Sequence, residues 1–364
     1  MPPGEDFIAA FDEAWEADHA VLPIDPAAPA QVRDRVLAAM RPDEPVDDDV
    51  ALVIATSGST GEPKGAQLSR AALEASIRAA HARIGHEPGD VWLSCLPWHH
   101  IGGLQVMLRS RLLGIPLLVH ERFDAARVAS ADATLTSLVP TQLAALLDAG
   151  VDLRRFRGIL LGGAAAPDKL IGRAREAGAV VVTTYGMSET AGGCVYDGEP
   201  LDGVEVRTRD DGRLAIRGPM LMSGYRLAPD LTVAALDDGW LVTNDLGRVD
   251  EDGRVEVLGR ADDVIISGGE NVVAAQIAEV IARHPAVRDV AVVGVPDARW
   301  GQRVVAVVVG MVELAELREW CASHLPRAAL PRDLVTVDEL PMLTSGKVDR
   351  LAARRIASSA VSDG

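Results

Sequence analysis

The most constraining feature of this chain is the segment TSGSTGEPKG at positions 56–65. It follows an apolar run at 50–55, which predicts a buried strand, and it precedes Ser69, a favourable N-cap for a helix with Leu73 and Ile77 on one face. We therefore expect a strand-to-helix loop. Its glycines let backbone N–H groups converge, its hydroxyls add donors and Lys64 adds positive charge. This combination suits a polyphosphate, although a polar linker is the alternative interpretation.

The segment is not a Walker A loop. Pro63 stands where that motif has its second glycine, and Gly65 stands where it has the serine or threonine that holds magnesium. The segment instead resembles the phosphate loop of the adenylate-forming superfamily of acyl-CoA synthetases, luciferases and adenylation domains. The resemblance spans roughly residues 50–350 and implies a shortened N-terminal subdomain. It also implies that ATP is bound by Thr56, Ser57, Gly58, Ser59, Thr60, Gly61 and Lys64.

Length and composition bound the protein class. A chain of 364 residues predicts two or three domains. No apolar run is long enough to cross a bilayer and the acidic N-terminus lacks signal-peptide features, so we expect a cytoplasmic protein. Three widely spaced cysteines favour neither a disulfide framework nor a zinc cluster. A net charge of −17 disfavours nucleic acid or an anionic membrane as a partner.

Hydrophobic periodicity predicts a mixed fold. Residues 115–183 alternate short apolar strands with helical stretches, which is typical of parallel βαβ units. Residues 201–260 have Gly/Asp turns between alternating strands, which predicts a small β-rich subdomain. Beyond 262 the pattern is that of a small α+β unit. The expected fold class is α/β and α+β: a large N-terminal domain at 1–260, hinged to a small mobile C-terminal domain at 261–364.

Two further motifs follow predicted strands. GGAAAP at 162–167 opens a helix at Pro167, and its small residues let a flat ring lie against the backbone; a tight βα turn is the alternative. The resemblance makes this segment the adenine pocket, with Gly163 and Ala164 in contact. YGMSET at 185–190 resembles the Y-G-x-[ST]-E-[TS] motif of the superfamily.

The resemblance assigns roles within the second motif. Tyr185 would stack on adenine, Thr190 would contact the α-phosphate and Glu189 would bind Mg²⁺. A carboxylate is a hard oxygen ligand, and Mg²⁺ bridging phosphate oxygens offsets charge at the α-phosphorus. Gly186 would contact both nucleotide and substrate, and Met187 the substrate.

The remaining superfamily motifs lie downstream. TND at 243–245 resembles T-G-D with an asparagine replacing glycine, a residue that tolerates positive φ; it implies that Asp245 binds the ribose hydroxyls. By the same resemblance, Arg260 contacts ribose or phosphate and Asp262 is the hinge. Lys347, in a P-x-x-x-x-G-K motif, reaches the acyl carboxylate and α-phosphate. The pair Gly268 and Gly269 would face the pantetheine arm of coenzyme A, where missing side chains permit close approach.

The acyl pocket is the least constrained part. LPWHHIGGLQVMLRS resembles a superfamily segment that lines the acyl pocket. The resemblance implies that His100 and Gly103 lie beside the substrate. With GGAAAPDKL and ISGGENV, it most resembles the o-succinylbenzoate–CoA ligases of menaquinone biosynthesis. A diacid substrate needs a partner for its second carboxylate, and Arg109, two turns past Gly102, is the predicted partner. A solvated helix residue is the alternative.

The resemblance implies two half-reactions. A carboxylate attacks Mg·ATP to give acyl-AMP and pyrophosphate, and the thiol of coenzyme A then displaces AMP. Catalysis is expected from positioning and from charge neutralisation by Lys64, Lys347 and Mg²⁺. Another small aromatic or aliphatic acyl-CoA ligase, or an adenylation module that loads a carrier protein, remains an alternative. The oligomeric state is open, with a homodimer as one expectation.

Overall fold

The computed structural model describes residues 1–57, 62–343 and 347–362. The helices are α1 Glu5–Glu16, α2 Ala30–Met40, α3 Arg70–Ile84, α4 Ile101–Leu113, α5 Ala125–Ser130, α6 Pro140–Asp148, α7 Asp168–Glu176, α8 Pro229–Ala235, α9 Ala274–Ala282, α10 Leu314–Ala322 and α11 Arg350–Ser362. The first strands are β1 Val50–Ser57, β2 Pro63–Ser69, β3 Trp92–Ser94, β4 Leu117–Val119, β5 Leu135–Leu138, β6 Gly158–Leu161, β7 Val181–Met187, β8 Gly192–Tyr196, β9 Glu199–Pro200 and β10 Glu205–Thr208. They are followed by β11 Arg213–Arg217, β12 Gly224–Tyr225, β13 Leu236–Asp237, β14 Trp240–Val249, β15 Val255–Arg260, β16 Val264–Ser267, β17 Glu270–Val273, β18 Val287–Asp297, β19 Gly301–Gly310 and β20 Asp333–Thr336.

A seven-stranded sheet forms the centre of the N-terminal part. Its order is β4-β3-β5-β6-β7-β8-β9, and the strands from β4 to β7 are parallel. Helices α5, α6 and α7 cross between these strands, so the predicted βαβ units are confirmed. The carboxyl ends of neighbouring parallel strands meet at one edge of a sheet, where open α/β sheets bind ligands.

The phosphate-loop segment lies in a different connection from the one predicted. β1 pairs antiparallel with β2 in a register that sets Ser57 opposite Pro63, so the segment connects a hairpin and not a strand to a helix. Proline is tolerated as the first residue of a strand, and PKGAQLS then continues as β2. The helix begins where expected, because the Ser69 hydroxyl accepts a hydrogen bond from the Ala72 N–H at 3.1 Å.

The β-rich region and the C-terminal region form separate sheets. β10, β11, β14 and β13 are neighbours in one sheet, and β15 also pairs with β14. In the other sheet the order is β17-β16-β19-β18, with β20 parallel to β19. Helices α9 and α10 cover this sheet over a core that contains Ile277, Val304 and Leu317. The two-domain architecture is as expected, while the boundary at 260/261 stays a prediction.

Candidate active site

Three side chains from distant parts of the chain meet next to the phosphate-loop segment. The Lys64 ammonium donates to Glu189 Oε1 at 3.0 Å and to the Tyr225 hydroxyl at 2.6 Å. The Tyr225 hydroxyl donates to the same Glu189 oxygen at 2.7 Å. The ammonium also lies 4.2 Å from the centre of the Tyr225 ring. Lys64 and Glu189 were predicted to share a site, and Tyr225 was not.

This arrangement keeps Glu189 ionised. Burial by itself would raise the pKa of the carboxyl, but the positive charge of Lys64 and the hydrogen bond from Tyr225 hold its pKa below the usual 4.5. Burial and the negative charge of Glu189 raise the pKa of the Tyr225 phenol. The phenol is therefore a hydrogen-bond donor to Glu189 at neutral pH and accepts from Lys64.

The short turn at 188–190 carries two hydroxyl side chains, those of Ser188 and Thr190. Thr190 is fully buried, and its hydroxyl lies 2.9 Å from the Met187 N–H and 2.7 Å from the Gly192 carbonyl. A contact with phosphate would require it to exchange these partners. Ser188 is half-buried, and its hydroxyl has no protein partner within the described parts of the chain. A contact between Thr190 and the α-phosphate stays a prediction.

A second polar cluster joins β7, β14 and β15. The Tyr185 hydroxyl donates to Asp245 Oδ2 at 2.9 Å, and Arg260 lies 3.3 Å from Asp245 Oδ1. Asp245 and Arg260 are opposite each other in the β14/β15 ladder. Burial raises the pKa of Asp245 above its usual value, while Arg260 and Tyr185 act in the opposite direction. The three residues predicted to contact nucleoside are therefore in one place.

The predicted adenine pocket lies beside this cluster. Gly163 and Ala164 are exposed in the loop after β6, next to the strand that carries Tyr185. Gly163 has φ +80°, a conformation that favours glycine. Gly186 approaches the backbone of Gly192 so closely that a Cβ atom would collide with it. Gly186 and Met187 are half-buried at the end of β7.

Lys347 lies among the charges of this site. The residue is exposed to solvent. Partial loss of hydration and the positive charge of Arg260 lower the pKa of Lys347, while Asp245 and Glu189 act to raise it. Lys347 therefore interacts electrostatically with both polar clusters, although more than 80 residues separate it from Arg260 in sequence.

His99 and His100 directly precede α4, where His100 is the N-cap residue, and a contact between His100 and substrate stays a prediction. Their rings are 4.3 Å apart, and His99 Nε2 is 3.9 Å from the Asp25 carboxylate. Burial, His99 and Lys347 lower the pKa of His100 to about 4, against the opposing charge of Asp25. Both imidazoles are therefore neutral at pH 7, since burial also lowers the pKa of His99. Asp25 has no sequence signal that could have identified it.

Gly103 is explained by packing. It is buried in α4, and a Cβ atom there would collide with the Leu96 and Pro97 carbonyl oxygens. A glycine is therefore required for the helix to approach this turn, which also holds His99 and His100 in place. A contact between Gly103 and substrate stays a prediction.

Arg109 requires a correction. It was expected either in the substrate pocket or in solvent, but it is only 4% exposed. Its guanidinium lies 5.4 Å from the centre of the Trp92 ring, and one nitrogen is 3.3 Å from the Tyr196 hydroxyl. The structure therefore places Arg109 in the core, with almost no surface accessible to solvent or to a substrate. Nearly every residue from 101 to 109 in α4 is buried, so sequence spacing along the helix could not indicate solvent or ligand.

The residues predicted to form the hinge and to face coenzyme A lie in two turns that follow β15. Arg260 forms an ion pair with Asp262 at 2.9 Å, directly after β15. Gly268 and Gly269, with φ +64° and +86°, form the two-residue loop between β16 and β17. Positive φ at both positions is the geometry of a tight hairpin turn, so their glycines have a structural cause. Their contact with coenzyme A and the pivot at Asp262 stay predictions.

The structure describes only part of the phosphate-loop segment. Gly58, Ser59, Thr60 and Gly61 lie outside the described residues, as does the side chain of Ser57. The Thr56 hydroxyl donates to the Lys64 carbonyl at 3.3 Å across the hairpin. Thr56 therefore stabilises the base of the loop.

The donor set suits a magnesium–nucleotide complex. Within the described ranges no group of three or more His, Cys, Asp or Glu residues could hold a metal by itself. Glu189 offers one carboxylate, and its Oε2 accepts no hydrogen bond from another described residue. Mg²⁺ keeps several waters and is usually held by one or two carboxylates plus substrate phosphates. Glu189 fits that requirement.

Comparison with known proteins identifies related sequences over most of the chain. Residues 5–226 match the family model described as AMP-binding enzyme, and residues 276–347 match the AMP-binding enzyme C-terminal domain. A probable 2-succinylbenzoate–CoA ligase of Mycobacterium tuberculosis is 46% identical, over 92% of this chain and 91% of that protein. The 2-succinylbenzoate–CoA ligase of Geobacillus sp. (strain WCH70) is 35% identical, over 83% of this chain and 68% of that protein.

Solved structures agree with the sequence matches. The o-succinylbenzoate CoA synthetase of Bacillus subtilis, in complex with the acyl-adenylate intermediate, superposes with a TM-score of 0.79 and 29% identity. That match covers 95% of this chain and 80% of the other. The same synthetase with ATP and magnesium ion gives a TM-score of 0.78, at 29% identity and over 94% and 80% of the two chains. In residues 1–57, 62–343 and 347–362, no helix is long and apolar enough to span a membrane.

Proposed function

We propose, since the chain belongs to the family of AMP-binding enzymes, that it is an ATP-dependent ligase acting on o-succinylbenzoate. It would activate the aliphatic carboxylate as an acyl-adenylate and transfer the acyl group to coenzyme A. The observation that carries the proposal is the ion pair of Lys64 with Glu189 together with the contact of Tyr185 with Asp245, in a chain whose 46%-identical relative is a probable 2-succinylbenzoate–CoA ligase.

The first half-reaction needs charge compensation. A substrate carboxylate oxygen forms a bond to the α-phosphorus of ATP, and the bond to pyrophosphate breaks. Both reactants are anions, so fixed cations lower the barrier. Lys64, held by Glu189 and Tyr225, would contact the phosphates. Lys347 would contact the carboxylate and the α-phosphate. Glu189 would hold Mg²⁺, which when bound neutralises charge on the phosphate oxygens.

Nucleoside recognition follows from the second cluster. Asp245 is held by Tyr185 and Arg260, with carboxylate oxygens that can accept from ribose hydroxyls. Tyr185 stands next to the exposed Gly163 and Ala164, where an adenine ring can lie between the aromatic ring and the backbone. The aromatic pocket and the ribose site are thus one unit.

The second half-reaction needs Lys347 to leave. The thiol sulfur attacks the acyl carbonyl carbon, and AMP departs. We propose that residues after Asp262 rotate together, which withdraws Lys347 and brings the Gly268–Gly269 turn to the acyl group. The Arg350 guanidinium lies 2.7 Å from the Asp263 carboxylate, so an ion pair joins the segment after Lys347 to the turn at the hinge.

The decisive experiment measures pyrophosphate release with a panel of acids. o-Succinylbenzoate should be used with the highest kcat/KM, above benzoate, succinate and 4-phenylbutyrate-type monoacids, and thioester should appear only when coenzyme A is added. A different acid with a higher kcat/KM would replace the proposed substrate. No pyrophosphate with any acid would refute the proposed activity.

A cytoplasmic location and a homodimer are accompanying proposals, tested by cell fractionation and by light scattering.

A further inference from the structure

Tyr225 occupies a place in the active site that no sequence motif assigned to it. It lies on the two-residue strand β12, which pairs antiparallel with β2 so that Tyr225 is opposite Ala66. Side chains alternate along a strand, so Lys64 and Ala66 share a face and Tyr225 is a diagonal neighbour of Lys64. The strand pairing therefore brings the phenol to the ammonium group, 161 residues apart in sequence.

Tyr225 contacts both charged side chains, Lys64 and Glu189. Its hydroxyl accepts from Lys64 at 2.6 Å and donates to Glu189 at 2.7 Å, while its ring lies under the ammonium. Tyr225 itself is only 8% exposed. Strand pairing and burial therefore hold Tyr225 in place, with its hydroxyl in contact with both charged side chains.

Tyr225 has a specific consequence for magnesium. The hydrogen bonds from Lys64 and Tyr225 to the Glu189 carboxylate both end on Oε1, so Oε2 accepts none from another described residue. If a triphosphate draws Lys64 away, Tyr225 remains as the donor to Oε1. Glu189 then stays in place, with Oε2 directed to a cation, and is not left as an uncompensated buried charge.

From this geometry we propose that Tyr225 is a positioning residue for Mg·ATP: it holds Glu189 for the metal while Lys64 exchanges the carboxylate for phosphate. This inference rests on the proposed use of Mg·ATP and adds a residue to it. It differs from a packing role because the hydroxyl, and not the ring, carries the effect. A hydrogen bond to a charged group is worth about a tenfold factor or more in an equilibrium constant.

Calorimetry with Tyr225→Phe tests the proposal. ATP is titrated into the full-length protein with Mg²⁺ and, separately, with EDTA. We expect about tenfold weaker binding in Mg²⁺ and little change in EDTA. Tyr185→Phe is the matched comparison, because it deletes a phenol hydroxyl from the nucleoside side of the same site. It should weaken binding by the same factor in both conditions.

Two additional measurements separate a positioning role from a structural one. In a Glu189→Gln background, the Tyr225→Phe change should lose most of its effect on Mg·ATP binding, since its partner is gone. Thr232→Val removes the hydroxyl that accepts from the Tyr225 N–H at 2.8 Å, without touching the site. If Tyr225→Phe does not fold, Thr232→Val carries the test, and it too should weaken binding only in Mg²⁺.

Several outcomes would overturn the inference. Equal losses with and without Mg²⁺ would make Tyr225 structural, and an unchanged affinity would remove it from the site. Additive effects of Tyr225→Phe and Glu189→Gln would show that the two groups act independently. If the wild-type protein binds no ATP, the proposed function itself fails. If it binds ATP and Tyr225→Phe behaves like wild type, only the role of Tyr225 fails.

Discussion

Asp90 offers the most quantitative test of how the site scaffold is stabilised. It precedes β3, the strand whose carboxyl end leads to His99 and His100. Its carboxylate accepts from Arg157 at 2.7 Å, from the Thr134 hydroxyl at 2.8 Å and from the Glu87 N–H at 2.8 Å. The side chain is 2% exposed. These bonds join the connection after α3 to the strands β5 and β6 of the central sheet.

The magnitude follows from linkage between protonation and folding. Burial would raise the pKa of Asp90, but the hydrogen bonds and charge of Arg157, with those from Glu87 and Thr134, lower it from 3.8 to about 2. At ~1.36 kcal/mol per pH unit, this corresponds to about 2 kcal/mol of stability at neutral pH. Because the folded pKa lies below the unfolded one, that stability is complete above about pH 4 and is lost as pH falls toward 2.

The assay is equilibrium unfolding of Asp90→Asn and of wild type from pH 7 to pH 3. We expect the variant to be less stable by about 2 kcal/mol at pH 7, with the difference falling to roughly half by pH 3. Asp211→Asn is the control, since Asp211 pairs with Arg213 on the surface, where such pairs contribute little. A pH-independent difference, or a loss no greater than in the control, would refute the electrostatic account.

The remaining predictions concern the reaction. Lys347→Ala should slow pyrophosphate release by about a hundredfold or more, and it should spare thioester formation from preformed acyl-AMP; equal losses in the two assays would contradict alternation of the C-terminal residues. Asp245→Asn should weaken ATP binding by about 1–3 kcal/mol in calorimetry, because the ribose hydroxyls lose a charged acceptor; an unchanged Kd would remove Asp245 from the ribose site. Arg109→Leu should change kcat/KM equally for the diacid and for a monoacid lacking the aryl carboxylate, since Arg109 is in the core. A selective loss with the diacid would instead restore Arg109 to the substrate site.

Sequence motifs located the groups that share one local context. Tyr185 and Asp245 were identified by the residues beside them, and the structure brings them within 2.9 Å of each other. Ser69 was identified as a helix cap from its position alone, and it is one. Such features depend on a few neighbouring residues, so they can be predicted from the sequence alone.

Contacts made by strand pairing over long separations were not predictable in this way. Tyr225 belongs to a two-residue strand, too short for any periodicity, and its role depends on pairing with β2. Asp25 comes from the N-terminal segment, whose bridge between Val21 and Leu52 directs it toward His99. Only the assembled sheet brings either side chain to the site.

The surroundings of Arg109 were not predictable for a different reason. Its spacing from Gly102 was correctly judged, but α4 is buried nearly all round, so a shared helical face does not imply shared surroundings. A buried guanidinium without a carboxylate partner is costly, and here the Tyr196 hydroxyl and the Trp92 ring are its neighbours.

Charge balance explains how an acidic protein can bind a polyanion. The formal charge is −17, and two cations of the described site already have acidic partners: Lys64 with Glu189, and Arg260 with Asp245 and Asp262. Binding of Mg·ATP under the proposed function therefore has to be an exchange of partners. Phosphate would take Lys64 as magnesium takes Glu189, so neither buried group is left uncompensated. On this argument ATP without the metal should bind weakly, because Lys64 then stays paired with Glu189 and is not available to phosphate.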